Sequence, residues 1–186
     1  MIPLRLGSLV LLMLLAQGKE KAPVKVDDHE SVDTLVSALY SVISGPKGAK
    51  RDWKRFASLF HEGGKLETIS LGRDGKRRLI TMTPADYVKR SGKWAETNGL
   101  FEKETHRSQD VYGHIAQVFS SYELRIGGAD KAADLTGINS IQCCQVDGKW
   151  RILSVLWEDA RSAGPIPVRY RPSKKQPSKK DVDEGK

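Results

Sequence analysis

The 186-residue sequence has few cysteines and lacks several motifs of common chemistry. Its two cysteines, Cys143 and Cys144, are adjacent, and a disulfide between neighbours is strained. We therefore expect two free thiols packed as small apolar groups. The sequence also lacks a glycine-rich phosphate loop, a Walker pattern, the nucleophile elbow of many hydrolases and the spacing of a paired-cysteine zinc site. These absences argue against a disulfide-stapled framework and against the common nucleotide- and zinc-binding classes.

Long apolar runs are also scarce, and the run near the N-terminus is too short to span a bilayer comfortably. Residues 9–16 form this run after Arg5, and Ala16 and Gly18 then place two small residues where a signal peptidase would cleave. We predict a signal peptide over residues 1–18 and a short leader over residues 19–27. The mature protein is expected to be periplasmic or secreted, with no membrane segment after cleavage.

The other end of the chain is rich in proline and lysine, and we predict a disordered tail over residues 164–186. This tail carries part of the net charge of +8, so the excess on the remaining chain is mild. A nucleic-acid-binding protein would show a denser basic stripe interleaved with aromatic residues, so no nucleic-acid partner is expected. One domain, residues 28–163, remains.

Hydrophobic periodicity divides this domain into an N-terminal half rich in helices and a C-terminal half of strands. The pattern predicts three helices: one over residues 28–44, starting near Asp27, a second from residue 53 to about 62, and a third opened by Thr83-Pro84. Strands are predicted over residues 66–71, 79–82, 100–107, 111–126, 135–146 and 150–159. Asp147-Gly148 favours a tight hairpin between the last two. This order predicts an α+β fold with an antiparallel sheet.

Both faces of the last two strands carry large apolar residues if the hairpin turns at Asp147-Gly148. The helices can cover one face of this sheet. The other is predicted to present an apolar set, namely Ile138, Leu153, Val155 and Trp157. Such a patch usually marks an interface, so we predict a two-fold homodimer joined through the sheet. The alternative is that the segment after Gly164 folds back over this face.

Several segments carry a family resemblance: residues 52–60, residues 113–123 (GHIAQVFSSYE), residues 137–142 (GINSIQ) and residues 147–152 (DGKWRI). They resemble the exported bacterial branch of the NTF2-like, or SnoaL-like, superfamily. The resemblance implies a curved sheet wrapped around three helices to form a cone with a pocket. The superfamily includes isomerases, cyclases, dehydratases and non-catalytic modules, so the fold alone does not fix a function. The resemblance places the base of the ketosteroid isomerase-like members at Thr68, which cannot serve.

Two sets of side chains are candidates for the functional site. Tyr40, Trp94, Tyr122 and Asn139 are predicted to line the pocket around a small, partly apolar ligand. If a loop at residues 108–110 separates the first two long strands, Glu104 lies opposite His114, with His106 nearby. Imidazole titrates near neutral pH and a carboxylate can orient it, so these residues suit a cofactor-free lyase, isomerase or hydrolase.

Other interpretations of the same residues stay open. Mixed imidazole and carboxylate groups also suit a divalent metal, although we assign neither a metal nor a cofactor. Glu104, His106 and His114 can equally be ordinary polar groups at the rim of the sheet. A third hypothesis for the whole domain is a non-catalytic dimerisation module.

Overall fold

The computed structural model describes residues 27–172, so the predicted signal peptide, most of the leader and the end of the predicted tail lie outside the described residues. The helices are α1 Val32–Ile43, α2 Trp53–Ser58, α3 Pro84–Tyr87, α4 Lys93–Asn98 and α5 Ala160–Ala163, with a π-helical turn Val88–Gly92 and a 3-10 turn Val168–Tyr170. The strands are β1 Phe60–Leu71, β2 Arg77–Met82, β3 Leu100–Tyr112, β4 Ile115–Ile126, β5 Leu135–Val146 and β6 Lys149–Asp159. No helix among residues 27–172 is long and apolar enough to span a membrane.

α1 is the central helix of the core, and its predicted apolar stripe is buried against the sheet. Its start is not at Asp27 as predicted. Ser31 is the N-cap residue, its hydroxyl accepts from the backbone N–H of Thr34, and the Thr34 hydroxyl lies 3.0 Å from the N–H of Ser31. This reciprocal pair satisfies two N–H groups that the first helical turn leaves free. The third predicted helix begins as expected, with Thr83 as its cap and Pro84 in the first turn.

The six strands form one sheet in the order β2-β1-β6-β5-β4-β3. Four of the pairings are antiparallel, as predicted, and each joins strands that follow one another in the sequence. The fifth pairing, between β1 and β6, is parallel, so the sheet is mixed. These two strands are separated by most of the domain, so no hairpin dictates their relative direction. Helices α1 to α4 and the main hydrophobic core lie on one face, which we call the concave face.

The hairpin between β5 and β6 turns at Asp147-Gly148, as the sequence predicts. Both turn residues have positive φ angles, 52° and 71°, which a two-residue hairpin turn of this kind requires. Cys143, on β5, is buried, Cys144 is half-buried, and both are free thiols, which confirms that prediction.

A bulge in β6 changes which residues face the core. The register shifts so that Ile152 pairs with Cys143 whereas Ser154 pairs with Gln142, which leaves Leu153 as the extra residue. Beyond the bulge, Val155 is therefore buried on the concave face, and Trp157 also lines the cavity there. The prediction that Val155 and Trp157 lie on the back of the sheet is wrong, because simple alternation along the strand fails at a bulge.

The hairpin between β3 and β4 is longer than predicted. No loop interrupts it at residues 108–110, and β3 continues to Tyr112, which pairs with Ile115. The turn is at Gly113-His114 instead. A bulge at Thr105 shifts the register, so Glu104 pairs with Tyr122 and His106 pairs with Ser121. The predicted pairing of Glu104 with His114 is therefore wrong.

The segment after β6 folds back over the convex face, which is the face of the sheet away from the helices. The Tyr170 ring packs on Phe119 with 4.8 Å between ring centres, and the Tyr170 carbonyl accepts a 2.7 Å hydrogen bond from the Ser121 hydroxyl. Tyr170 therefore packs on the sheet, within the range that the sequence assigns to a disordered tail. Phe119, Leu156 and Leu153 stay 36–40% exposed.

Candidate functional site

A cavity of about 310 Å³ lies between the helices and the concave face of the sheet. α1 forms one wall, α4 and the turn before it lie along another, and β1 and β3 to β6 supply most of the rest. Most of its lining is apolar: Leu39, Ile43, Phe56, Leu66, Trp94, Ala95, Leu124, Leu135, Val155 and Trp157. Open cavities of this size and composition are typical of sites for small molecules.

Glu102, on β3, places a carboxyl group in this largely apolar cavity. Its hydrogen-bonding partner is an amide, because Asn139 Nδ2 donates to Glu102 Oε1 at 3.1 Å. Burial raises the pKa of the Glu102 carboxyl to about 7, and the hydrogen bond from Asn139 offsets only part of this rise. Near neutral pH the cavity therefore contains a carboxyl group that both gains and loses a proton readily.

A second acidic residue, Asp159, lines the same cavity in a different environment. Its carboxylate is paired with Arg161, with 2.9 Å between Nη2 and Oδ2. Hydrogen bonding to Arg161 holds the pKa of Asp159 below its usual value. The two carboxyl groups of the cavity therefore titrate far apart, and Asp159 stays ionised at pH values where Glu102 changes state.

Three tyrosines surround Glu102 in the cavity lining: Tyr40 from α1, Tyr87 from α3 and Tyr122 from β4. Burial, and next the negative charge of Glu102, raise the pKa of each phenol well above its usual value. The phenols are therefore neutral at physiological pH and keep their O–H groups as hydrogen-bond donors.

A chain of buried hydrogen bonds leads from Glu102 to the surface of the domain. Asn139 Nδ2 donates to the Tyr40 hydroxyl at 2.9 Å, and that hydroxyl lies 2.7 Å from Ser120 Oγ. Ser120 Oγ in turn donates to Glu104 Oε1 at 2.5 Å. Beyond this point, Arg107 binds Glu104 through two nitrogens at 2.9 and 2.7 Å and also contacts the exposed Asp33.

The strand register explains how these polar groups meet. Ser120 on β4 pairs directly with Asn139 on β5, so both side chains lie on the concave face under Tyr40. The next concave pair is Tyr122 with Gly137, and a Cβ atom at residue 137 would lie 2.5 Å from the Tyr122 hydroxyl oxygen. Glycine at this position therefore makes room for the Tyr122 side chain to lie across the sheet.

The four residues predicted to contact a ligand all line this one cavity: Tyr40, Trp94, Tyr122 and Asn139. They come from four elements, α1, α4, β4 and β5. Whether they bind a ligand stays a prediction.

The three residues predicted to be catalytic are not brought together. Glu104 lies on the concave face but is occupied by Arg107 and Ser120. His106 pairs with Ser121 on the convex face, where the Ser121 hydroxyl bonds the C-terminal segment. His114 is in the turn, with Nδ1 3.0 Å from the side-chain oxygen of Gln145. Within residues 27–172 no group of three or more His, Cys, Asp or Glu side chains is arranged to hold a metal.

Glu102 is the residue that the sequence analysis did not single out. It belongs to the same face as Ala116, Val118, Ser120 and Tyr122, and an acidic residue among these apolar and hydroxyl-bearing neighbours is the signal that could have identified it. Periodicity predicts the face of the sheet on which a side chain lies, but it does not predict how deeply that side chain is buried. The burial of Glu102 could therefore not be predicted from the pattern.

No protein-family model matches the chain, and no curated protein matches its sequence. Solved structures do match. An NTF2-like protein of unknown function from Pseudomonas putida aligns at 9% identity over 68% of this chain and 82% of its own, with a TM-score of 0.52. A protein of unknown function from Mycobacterium tuberculosis gives 20% identity over 69% of both chains and a TM-score of 0.53. A candidate dehydratase of the NTF2-like family from Streptomyces avermitilis gives 14% over 70% and 94%, with a TM-score of 0.50.

The curved mixed sheet, the helices packed in its concavity and the cavity between them define a cone-shaped α+β domain. Together with the structural matches, this architecture shows that the chain has the NTF2-like fold. At identities of 9–20% the likeness extends to the fold and not to a function.

Proposed function

We propose that this domain binds a small, partly apolar molecule in the concave-face cavity, with a polar group of the molecule at Glu102. The observation that carries the proposal is the combination of a largely apolar lining with one accessible carboxyl group whose pKa is raised to about 7. The apolar walls would supply affinity through burial, and Glu102 with Asn139 would orient the ligand.

The polar groups of the cavity suit a ligand that carries a hydroxyl or carbonyl group and disfavour an anion. Protonated Glu102 can donate to a carbonyl oxygen, whereas ionised Glu102 can accept from a hydroxyl. Arg161, which could attract an anion, is already paired with Asp159. An anionic ligand would have to be desolvated without a free counter-ion among these lining groups, which is costly.

A matched pair of substitutions tests the location of binding, with 2-naphthol as a fluorescent aromatic alcohol probe. Leu135→Trp adds bulk inside the cavity, and Leu153→Trp adds the same bulk at the exposed bulge of β6. We expect 2-naphthol to bind the unsubstituted protein, with Leu135→Trp weakening the affinity by about tenfold or more and Leu153→Trp leaving it unchanged. Equal affinities in both variants, or no binding to the unsubstituted protein, would contradict the proposal.

The natural ligand can be sought by native mass spectrometry of protein purified from its host. A mass that is retained in the unsubstituted protein and lost in Leu135→Trp would support a ligand in the cavity. A mass retained equally by both proteins would place that ligand elsewhere.

A second candidate function is a proton-transfer enzyme, such as a lyase or isomerase, with Glu102 as its base. The pKa of about 7 supports this alternative, because a general base works best when its pKa lies near the operating pH. In this alternative, Glu102 takes the place of the Glu–His pair predicted from the sequence. Wild-type protein should then catalyse deuterium exchange at the carbon next to the carbonyl of cyclohexanone in D2O, whereas Glu102→Gln should not. Equal exchange rates would argue against this role.

Export and the homodimer stay proposals of the sequence analysis. Export predicts that protein isolated from its host starts near Lys19, which N-terminal sequencing checks. The face proposed for the dimer would consist of Ile138, Leu153, Leu156 and Phe119, because Val155 and Trp157 face the cavity. Residues of the segment after Gly164 lie against part of this face. Sedimentation of the mature protein and of Leu156→Glu should show a dimer and a monomer respectively, and a monomer in both would contradict the dimer.

A further inference from the structure

The buried hydrogen-bond chain has a defined direction, because its Glu104 end is fixed. At one end, the Asn139 amide nitrogen has two N–H groups and can only donate. At the other, Arg107 holds the Glu104 carboxylate by two hydrogen bonds, and a carboxylate can only accept. Every hydroxyl between these ends must donate toward Glu104.

The donors can be assigned one at a time from the Glu104 end. The proton between Ser120 Oγ and Glu104 belongs to Ser120, since Glu104 has none to give. Ser120 has only one proton, so the proton in the 2.7 Å contact with Tyr40 must come from the Tyr40 hydroxyl.

The Tyr40 oxygen can then only accept from residue 139, which it does at 2.9 Å. If the Asn139 amide were rotated by half a turn, its carbonyl oxygen would face the Tyr40 oxygen with no proton between them. The rotated orientation is therefore disfavoured for as long as Tyr40 donates to Ser120.

From this geometry we propose that Glu104 and Ser120 are positioning residues for Glu102: they set the direction of the hydrogen-bond chain, so that Asn139 presents its N–H and not its carbonyl to the cavity carboxyl. The proposal gives Glu104 a role outside the cavity, in place of direct catalysis. The consequence of this role for ligand binding rests on the proposed function, whereas the orientation of the Asn139 amide does not depend on it.

The orientation matters because it decides which form of Glu102 is favoured. An N–H directed at Glu102 stabilises the carboxylate, whereas a carbonyl oxygen at the same place would accept from the protonated acid and stabilise that form. The other titratable groups that face Glu102 are three phenols and one ion pair: Tyr40 on α1, Tyr87 on α3, Tyr122 on β4, and Asp159 at the end of β6 with Arg161 on α5. Substitution of Ser120 changes the charge of none of them.

The test is the titration of Glu102 in the ligand-free protein, followed by the 13C signal of its side-chain carboxyl, with Glu102→Gln to assign the signal. In Ser120→Ala, the Tyr40 hydroxyl loses its acceptor and becomes free to donate to a rotated Asn139 amide. We expect the pKa of Glu102 to rise by about one unit, the usual effect of one hydrogen bond to a charged group. An unchanged or lower value would overturn the proposal.

Glu104→Gln provides a second test that does not depend on the folding of Ser120→Ala. Its side chain can direct an amide N–H at Ser120 and reverse the chain, so the proposal again expects a rise in the pKa of Glu102. Loss of a nearby negative charge, acting through space alone, would lower that pKa instead. A fall would therefore contradict the proposal by its sign.

Asp33→Asn is the matched control, since the Asp33 side chain is 75% exposed. Of the residues in the hydrogen-bond chain, it contacts only Arg107, through Nη1. It should leave the titration of Glu102 unchanged, and a shift as large as that of Ser120→Ala would count against the assigned chain. Because the titration needs no ligand, a failure of 2-naphthol binding and a failure of the positioning role are separate results.

Discussion

Glu102→Gln should make the domain more stable at high pH, although it removes the most distinctive group of the cavity. In the folded protein the pKa of Glu102 is about 7, above its ordinary value of 4.5. Between these values the folded state binds more protons than the unfolded state. The stability associated with protonated Glu102 is therefore fully present below about pH 4.5 and is lost as the pH rises through 7.

The size of the effect follows from the two pKa values. In full, the gap between 4.5 and about 7 corresponds to about 3 kcal/mol in the free energy of unfolding. Because the Glu102 side chain is only half-buried and is accessible through the cavity, about 2 kcal/mol is a more suitable expectation. Glutamine has nearly the same shape and cannot ionise, so this cost disappears in the variant.

Urea unfolding of both proteins at about pH 5 and about pH 8 measures the effect. The free energy of unfolding of Glu102→Gln minus that of the unsubstituted protein should increase by about 1.5 kcal/mol from the lower to the higher pH, because part of the effect has already occurred at about pH 5. The changed hydrogen bond to Asn139 can add an offset at both pH values, so the test is the change of the difference between them and not its size at either pH. A difference that stays constant, or that decreases with pH, would refute the assignment of a raised pKa to Glu102.

Three further predictions concern the scaffold around the cavity. Gly137→Ala should strongly lower the Tm, because its Cβ would lie 2.5 Å from the Tyr122 hydroxyl oxygen, whereas Gly128→Ala, in open space, should leave the Tm unchanged. Arg51→Ala should lower the free energy of unfolding in urea by about 3 kcal/mol, because the buried guanidinium donates to backbone carbonyls that follow α1. Cys143 should resist a thiol reagent until the protein unfolds, because burial raises the pKa of its thiol to about 12.

The architecture was predictable where a local rule decides it. The apolar stripe of α1, the cap and proline that open α3 and the turn at Asp147-Gly148 are each set by residues close together in the sequence. The order of helices and strands then leaves few arrangements for an α+β domain. The parallel pairing of β1 with β6 escaped prediction because no local signal specifies how strands so distant in the sequence pair.

The errors of register have one physical cause, which is an extra residue in a strand. The bulge at Thr105 puts Glu104 and His106 on opposite faces, and the bulge at Leu153 turns Val155 and Trp157 inward. Alternation assigns faces correctly on each side of a bulge but reverses the assignment across it. When residues of a hairpin are assigned to faces by counting from the turn, the assignment is therefore reliable only as far as the first bulge.

The same bulges explain why the candidate site differs from the predicted one. Before the bulge at Thr105, Glu102 and Glu104 both lie on the concave face, and their carboxyl groups have different environments. Glu104 forms an ion pair with Arg107, whereas the carboxyl of Glu102 contacts only an amide and the cavity. Because the two carboxyls are linked through Asn139, Tyr40 and Ser120, the fixed charge of one can orient the donor that faces the other. The candidate reactive group is thus the glutamate without a cationic partner at its carboxyl, and the glutamate that has one serves to position it.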